Sequence, residues 1–227
     1  MKAAVYYQNG GPEVLKYEDV PDPECHPKGV VIRVEAVSIE GGDTLNRWHG
    51  ALFSKPHVVG YQAGGEIVQV GSEVTDLKVG QKVTTVNAMG SHAALRSVPA
   101  PMTWVLPDEL DLKLGACVPI AVGTADDCLF EFGHLKAGET VLVQAGASGV
   151  GVAAIQLAKR AGATVLATAS SDERLERLTE GVPADRFDVT KVPLIRRTEQ
   201  GRGLSKLQSA ATSRGQAHES GGILRDR

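Results

Sequence analysis

Cysteine is scarce in this 227-residue chain: Cys25, Cys117 and Cys128 are its whole complement. An odd number at wide spacing excludes a disulfide framework and leaves no CxxC pair for a metal. Cys117 and Cys128 stand in apolar sequence and are expected to be small buried hydrophobes. Positive charge is not in excess either. With 24 Lys and Arg against 27 Asp and Glu, the formal net charge is −3, and no long basic run precedes residue 195. That excludes the electrostatic footprint of a nucleic-acid or anionic-membrane partner. Also missing is any apolar run long enough to span a bilayer, and "MKAAVYYQNGGPEVLKYEDV" lacks the basic patch and apolar core of a secretory leader. A cytoplasmic protein is the expectation.

What the chain does have is 42% hydrophobic residues, enough for one large or two modest cores. From residue 1 to 105 it alternates short strand patterns with turns: "KAAVYY", "VLKYEDV", "VVIRVEAVSI", "GGEIVQVG", "QKVTTV" and "HAALRSV". This predicts a β-rich domain over 1–105. The pattern turns helical from 106 to 137, where "PDEL" offers a helix start. Then "TVLVQA" reads as a buried parallel strand, "GVAAIQLAKRAG" as a helix closed by Gly162, "TVLATA" as a second buried strand and "SSDERLERLTEG" as another helix. The expected fold class is therefore β followed by α/β, the second part spanning 138–194 as a partial doubly wound parallel sheet. Residues 195–227 contain no aromatic residue and much Arg, Ser, Gly and Gln, so they are expected to form a disordered or poorly packed tail.

The turn Gly146-Ala147-Ser148-Gly149-Val150-Gly151 carries the chemistry. A βαβ unit that binds a dinucleotide must bring backbone close to a pyrophosphate and aim helix N–H groups at it, so side chains there obstruct. Gly146 is expected to take the tight turn, Gly149 to clear the phosphate and Gly151 to let helix pack on strand. Ser148 replaces the middle glycine of GxGxxG and brings a hydroxyl. After the second strand, Ser170 and Arg174 stand where a carboxylate would select NAD, which favours NADPH; the competing reading pairs Arg174 with Asp172 or Glu173.

"GETVLVQAGASGVGVAAIQLAK", "VVGYQAGGEIVQVGSEVTDLKVGQKV" and "VPIAVGTADDCL" together resemble the medium-chain dehydrogenase/reductase superfamily, in its zinc-independent quinone oxidoreductase branch related to zeta-crystallin. The resemblance covers residues 1 to about 190 and implies an N-terminal GroES-like β-barrel, a linker helix and a partial Rossmann domain, with Thr124 near the nicotinamide. Zinc-dependent members carry a Cys and a His-Glu pair where this chain has Glu40, Tyr61 and Gln62, so the resemblance implies no catalytic zinc. His26, His49 and His57 pair with no other ligand at short spacing and are expected to be surface or hydrogen-bonded histidines. A quinone or enone is already electrophilic and accepts hydride without a Lewis acid, whereas a simple alcohol needs one to lose its proton. The implied substrate is thus a quinone or activated carbonyl, with Asn46 and Tyr61 as candidates for lining its cleft and a structural role as the alternative for both; no catalytic residue is assigned.

Relatives in that branch are homodimers and continue well past "ADRFDVTK", which would be the third Rossmann strand. The resemblance leads to the expectation that the dimer edge is missing here, and Val189 and Thr190 stand where it implies a Tyr near the adenine phosphate. The composition shift leads to the expectation of a C-terminal truncation or frameshift after about residue 194. Two readings follow: an NADPH-dependent oxidoreductase, with enoyl-thioester reduction as its variant, or a non-enzymatic remnant or binding protein.

Overall fold

A computed structural model describes residues 1–180 and 194–196 of the chain. The predicted tail beyond 196, "ADRFDVTK", Val189 and Thr190 lie outside the described residues. The chain divides into two compact units, Met1–Thr124 and Ala125 onward.

The first unit contains β1 (Lys2–Tyr6), β2 (Lys16–Asp19), β3 (Gly29–Ser38), α1 (Gly41–His49), β4 (His57–Val58), β5 (Gln62–Val70), β6 (Lys82–Val86), β7 (Leu95–Pro99) and β8 (Thr103–Val105). Antiparallel pairing arranges them in a three-stranded sheet, β2-β1-β4, and a five-stranded sheet, β7-β3-β5-β6-β8. Alternating apolar residues fix the register, since a slip of one residue would turn Val30 and Ile32 outward. Those two pack with Ala63, Ile67, Leu77 and Val83 into a core in which all but Leu77 are fully buried.

The six strand patterns predicted from sequence match β1, β2, β3, β5, β6 and β7, but β4, β8 and α1 were not expected. Its first two residues are glycines, which disfavour helix. The helix starts because Asp43 Oδ2 accepts the Glu40 N–H at 2.9 Å, satisfying a donor at the helix N-terminus. The next helix, α2 (Leu112–Asp126), begins later than "PDEL". Residues 107–110 form a turn closed by Leu110 N–H on Pro107 O, and Asp111 caps the helix by accepting the Lys113 N–H at 2.8 Å. Pro119 lies inside α2. A wider π-helical turn, Asp127–Glu131, follows, closed by Phe132 N–H on Asp127 O.

The second unit holds β9 (Thr140–Val143), α3 (Gly149–Arg160), β10 (Thr164–Ala169), α4 (Asp172–Glu180) and β11 (Leu194–Arg196). Its sheet is parallel, in the order β11-β10-β9. The third strand thus pairs at Leu194–Arg196 and runs past 194, where the sequence placed the end of this unit. Ala153, Ala154, Ile155 and Ala158 form the buried stripe of α3, while Val165, Ala167 and Ala169 are buried in β10. Gly162, at φ 81°, closes α3 as expected. The two apolar strands are buried through Val143, Val165, Ala167 and Ala169, while Leu142 is 38% exposed. Cys117 and Cys128 are likewise exposed rather than buried. Among the described residues no helix is long and apolar enough to cross a membrane.

Candidate functional site

The small-residue turn joins β9 to α3. Ala145 reverses the chain at φ 53°, so the left-handed turn falls there and not on Gly146 as the sequence reading had it. Ala145 N–H donates to Thr168 Oγ1 (3.2 Å) and Gly146 N–H to Thr168 O (2.7 Å), which ties the turn to β10. Gly146 is there for close packing: a Cβ would lie 2.9 Å from Ala167 Cβ. At Gly151 a Cβ would lie 2.4 Å from Ala145 O, so the start of α3 is pressed against the strand end, as expected of that glycine.

Ser148 caps α3, its Oγ accepting the Gly151 N–H at 3.1 Å. Gly149 and Val150 are the first two helical residues, whose N–H groups have no acceptor inside a helix and add to its positive end. Ser148 and Gly149 are exposed, and Ala147 and Val150 half-buried. The arrangement leaves a serine hydroxyl proton beside two amides, a donor set that suits an anion. Beside it lies a cavity of about 270 Å³ lined by Val141, Gln144, Val150, Ala154, Leu129 and Cys128 among others. A pyrophosphate fits the donor set and the lack of obstructing side chains.

Ser170 and Arg174 are both exposed just beyond β10. Arg174 N–H donates to Ser171 Oγ at 3.3 Å. Glu173 is taken by Arg177, one turn on, at 2.7 Å. Among the described residues the Arg174 guanidinium has no carboxylate partner, and it stands exposed in the first turn of α4.

In the first unit the helix α1 and the start of β5 bring Asn46 and Tyr61 together: Asn46 Nδ2 donates to the Tyr61 hydroxyl at 2.9 Å. Because the phenol oxygen accepts there, its proton is free for another acceptor. The ring lies against α1 so closely that a Cβ on Gly42 would stand 2.4 Å from Tyr61 Cε2. Next to it Glu40 Oε1 accepts from Ser38 Oγ (2.9 Å) and from Gln62 Nε2, while the fully buried Gln62 uses its Oε1 to accept the Ile120 N–H at 2.9 Å. Pro119 has no N–H of its own, and Gln62 satisfies the amide that follows it. The Glu40 and Gln62 side chains are therefore committed to each other. Among the described residues no group of three or more His, Cys, Asp or Glu stands close enough to hold a metal ion. Thr124 is exposed in α2.

Sequence reasoning missed two charged residues beneath this site. Asp43 and Arg96 are each 2% exposed, and burial pushes the Arg96 guanidinium down to about 10, with Asp43 opposing the shift. No local motif marks them as a pair: both reach Tyr61, which lies 18 residues from Asp43 and 35 from Arg96. The histidines differ from expectation at one place. His26 Nδ1 accepts the Lys28 N–H, and His49 is exposed, but His57 is buried edge-on to Tyr6 at 5.1 Å with its Nδ1 unpartnered.

Residues 26–108 match the alcohol dehydrogenase GroES-like domain. The quinone oxidoreductase of Sus scrofa is 35% identical over 177 residues, covering 76% of this chain and 54% of that protein. The NADPH-dependent alkenal/one oxidoreductase, chloroplastic, of Arabidopsis thaliana is 36% identical over 206 residues, covering 84% and 53%. A mycobacterial structure complexed with NADPH superposes with a TM-score of 0.81 at 28% identity, over 94% of this chain and 64% of that one. Over these lengths the chain is similar to the medium-chain dehydrogenase/reductase superfamily. The chain spans about half the length of the curated relatives it matches.

Proposed function

We propose that this chain binds NADPH at the start of α3 and reduces a quinone or a comparably activated carbonyl. The observation that carries the reading is the Ser148-capped, small-residue start of α3, with Arg174, unpaired with any carboxylate among the described residues, in the first turn of α4. Gly149 and Val150 N–H groups and the Ser148 hydroxyl would hold the pyrophosphate. The Arg174 guanidinium, beside Ser170, would meet a 2′-phosphate through charge-assisted hydrogen bonds. The names of the Arabidopsis and mycobacterial proteins support the same cofactor.

NADPH, when bound, supplies a hydride, which with one proton from solvent converts a quinone to its hydroquinone and leaves NADP⁺. The chain's own contribution is orientation and hydrogen bonding. Tyr61, whose oxygen already accepts from Asn46, donates its proton toward a substrate oxygen, and polarisation along that short chain strengthens the donation. Thr124 is placed with the nicotinamide end of the site on the same reading. At the positions where zinc-dependent members ligate metal, the Glu40–Gln62 pair is already internally satisfied, which favours an acceptor that needs no Lewis acid.

Steady-state oxidation of NADPH by the full chain with a naphthoquinone tests the proposal, with a 2-enoyl thioester and NADH in parallel. Turnover with the quinone and NADPH, lowered about tenfold relative to NADH in Arg174→Ala, is the expected result. Turnover confined to the thioester would replace the substrate class, and no turnover with any acceptor would overturn the enzymatic reading.

A further inference from the structure

On the reading just proposed, in which Tyr61 meets the substrate, we infer that Asp43 and Arg96 are positioning residues that act through Tyr61, gripping its backbone from both sides. Asp43 Oδ1 accepts the Tyr61 N–H at 3.2 Å. Arg96 Nη2 donates to Tyr61 O at 2.7 Å and also approaches the carbonyls of Met89 (3.0 Å), Gly60 (3.2 Å) and Asn87 (3.3 Å), while Nη1 donates to Thr85 Oγ1 at 3.1 Å. An NH₂ group has two hydrogens, so four carbonyls share them, and the shortest contact, to Tyr61, takes the largest part.

The two peptide groups flanking the Tyr61 Cα are thus held by opposite buried charges, one at each end. Their orientation sets the direction of the Cα–Cβ bond, and so where the phenol can stand. Asp43 adds a second constraint, because its other oxygen accepts the Glu40 N–H at the start of α1. The same carboxylate thereby fixes both the tyrosine and the helix that carries Asn46, the partner of its hydroxyl. The surroundings leave the loop little alternative. Gly60 sits at φ +119°, where a Cβ would lie 1.9 Å from Ser91 Oγ, and Ser91 and His92 N–H groups donate to Gly60 O and Val59 O. Segments 58–61 and 87–92 form one block, and Arg96 is the side chain that binds its carbonyls from within.

A buried guanidinium and carboxylate are costly for stability alone, since apolar residues of similar volume often serve as well. Directional control of a substrate-facing side chain is the use that an apolar replacement would lose. The chemistry makes the requirement plain: a misplacement of about 1 Å in a positioning group can cost on the order of a hundredfold in rate.

The test is a set of double-mutant cycles in the full chain. Tyr61→Phe, Arg96→Lys and Asp43→Asn are each expected to lower kcat/KM for a naphthoquinone by about tenfold or more, with the NADPH dissociation constant changed less than about twofold. In the Tyr61→Phe background, Arg96→Lys and Asp43→Asn should then cost less than about twofold more. Equal losses in both backgrounds, or full activity in Tyr61→Phe, would overturn the inference. A second readout needs no turnover. The chain has four tyrosines, so 3-fluorotyrosine labelling gives a ¹⁹F signal for Tyr61 that Tyr61→Phe identifies by its loss. That signal should shift or broaden in Arg96→Lys and Asp43→Asn while those of the exposed Tyr7 and Tyr17 stay in place; an unmoved Tyr61 signal would contradict the grip. If the wild-type chain proves inactive, a moved signal leaves the grip standing and removes only the enzymatic reading. Should Arg96→Lys fail to fold, the nearly isosteric Asp43→Asn carries the same comparison from the other side.

Discussion

The two units of the chain bury their apolar residues to different degrees. In the GroES-like unit Val30, Ile32, Ala63, Ile67 and Val83 are all at 0% exposure, and even its polar loops are held by a buried Arg96. In the Rossmann-like unit the described apolar side chains at 0% exposure are all alanines, Ala125, Ala158 and Ala167, and on its strands Leu142 is 38% exposed. The difference teaches where each unit's stability comes from. The first is self-sufficient in its core and fixes side chains tightly, which suits substrate orientation. The second keeps its helix N-terminus open and has more to gain from whatever binds there, because a ligand that binds only the folded form stabilises it by mass action.

The contrast can be broken at its strong side. Ile32→Ala removes atoms from a fully buried core and should cost about 2–5 kcal/mol, seen as a lower midpoint in denaturant unfolding. A loss under about 0.5 kcal/mol would mean that this core is not the stabilising element. A smaller effect sharpens the other side. Ala145 holds a left-handed backbone at φ 53°, which costs an ordinary L-residue about 1–2 kcal/mol, so Ala145→Gly should leave stability unchanged or raised by about 1 kcal/mol. A fall of that size would contradict the turn geometry.

The smallest expected effect is on pH dependence, and it belongs to the first unit. Burial holds the imidazoles of His57 and His92 below their ordinary value of 6.5, with Asp43 raising and Arg96 lowering the latter. The folded state therefore refuses protons that the unfolded state takes up. Their contribution is fully present above the unfolded value of 6.5 and is lost as pH falls below it. Thermal melts between about pH 7.5 and 5.5 should show a falling midpoint that flattens in His57→Phe; an unchanged slope would remove His57 as its source.

Much of the fold is legible in the sequence because period-2 alternation and apolar runs report on backbone pairing directly. Strands β1, β2, β3, β5, β6 and β7, the turn at 146–151 and the Gly162 stop are of this kind. The elements that escaped depend on single side-chain contacts, which no periodicity reports. Helix α1 opens on two glycines and starts through Asp43. The start of α2 depends on the Asp111 carboxylate and not on "PDEL". Cys117 and Cys128 lie in apolar sequence yet face outward, since composition does not say which side of a helix is covered. At the site, the backbone-bare turn was readable as chemistry, but the positive φ falls on Ala145, ahead of the Gly146 expected to take the tight turn. The Asp43 and Arg96 grip was unreadable, because nothing near either residue in the sequence hints that both reach Tyr61.

The most direct measurement is a calorimetric NADPH titration of the full chain beside Gly151→Val, whose added side chain would collide with Ala145 O at the start of α3. The account predicts saturable binding by the wild type, weaker binding of NADH, and loss of both in the variant. Equal NADPH binding by wild type and Gly151→Val, or none by a folded wild type, would contradict it.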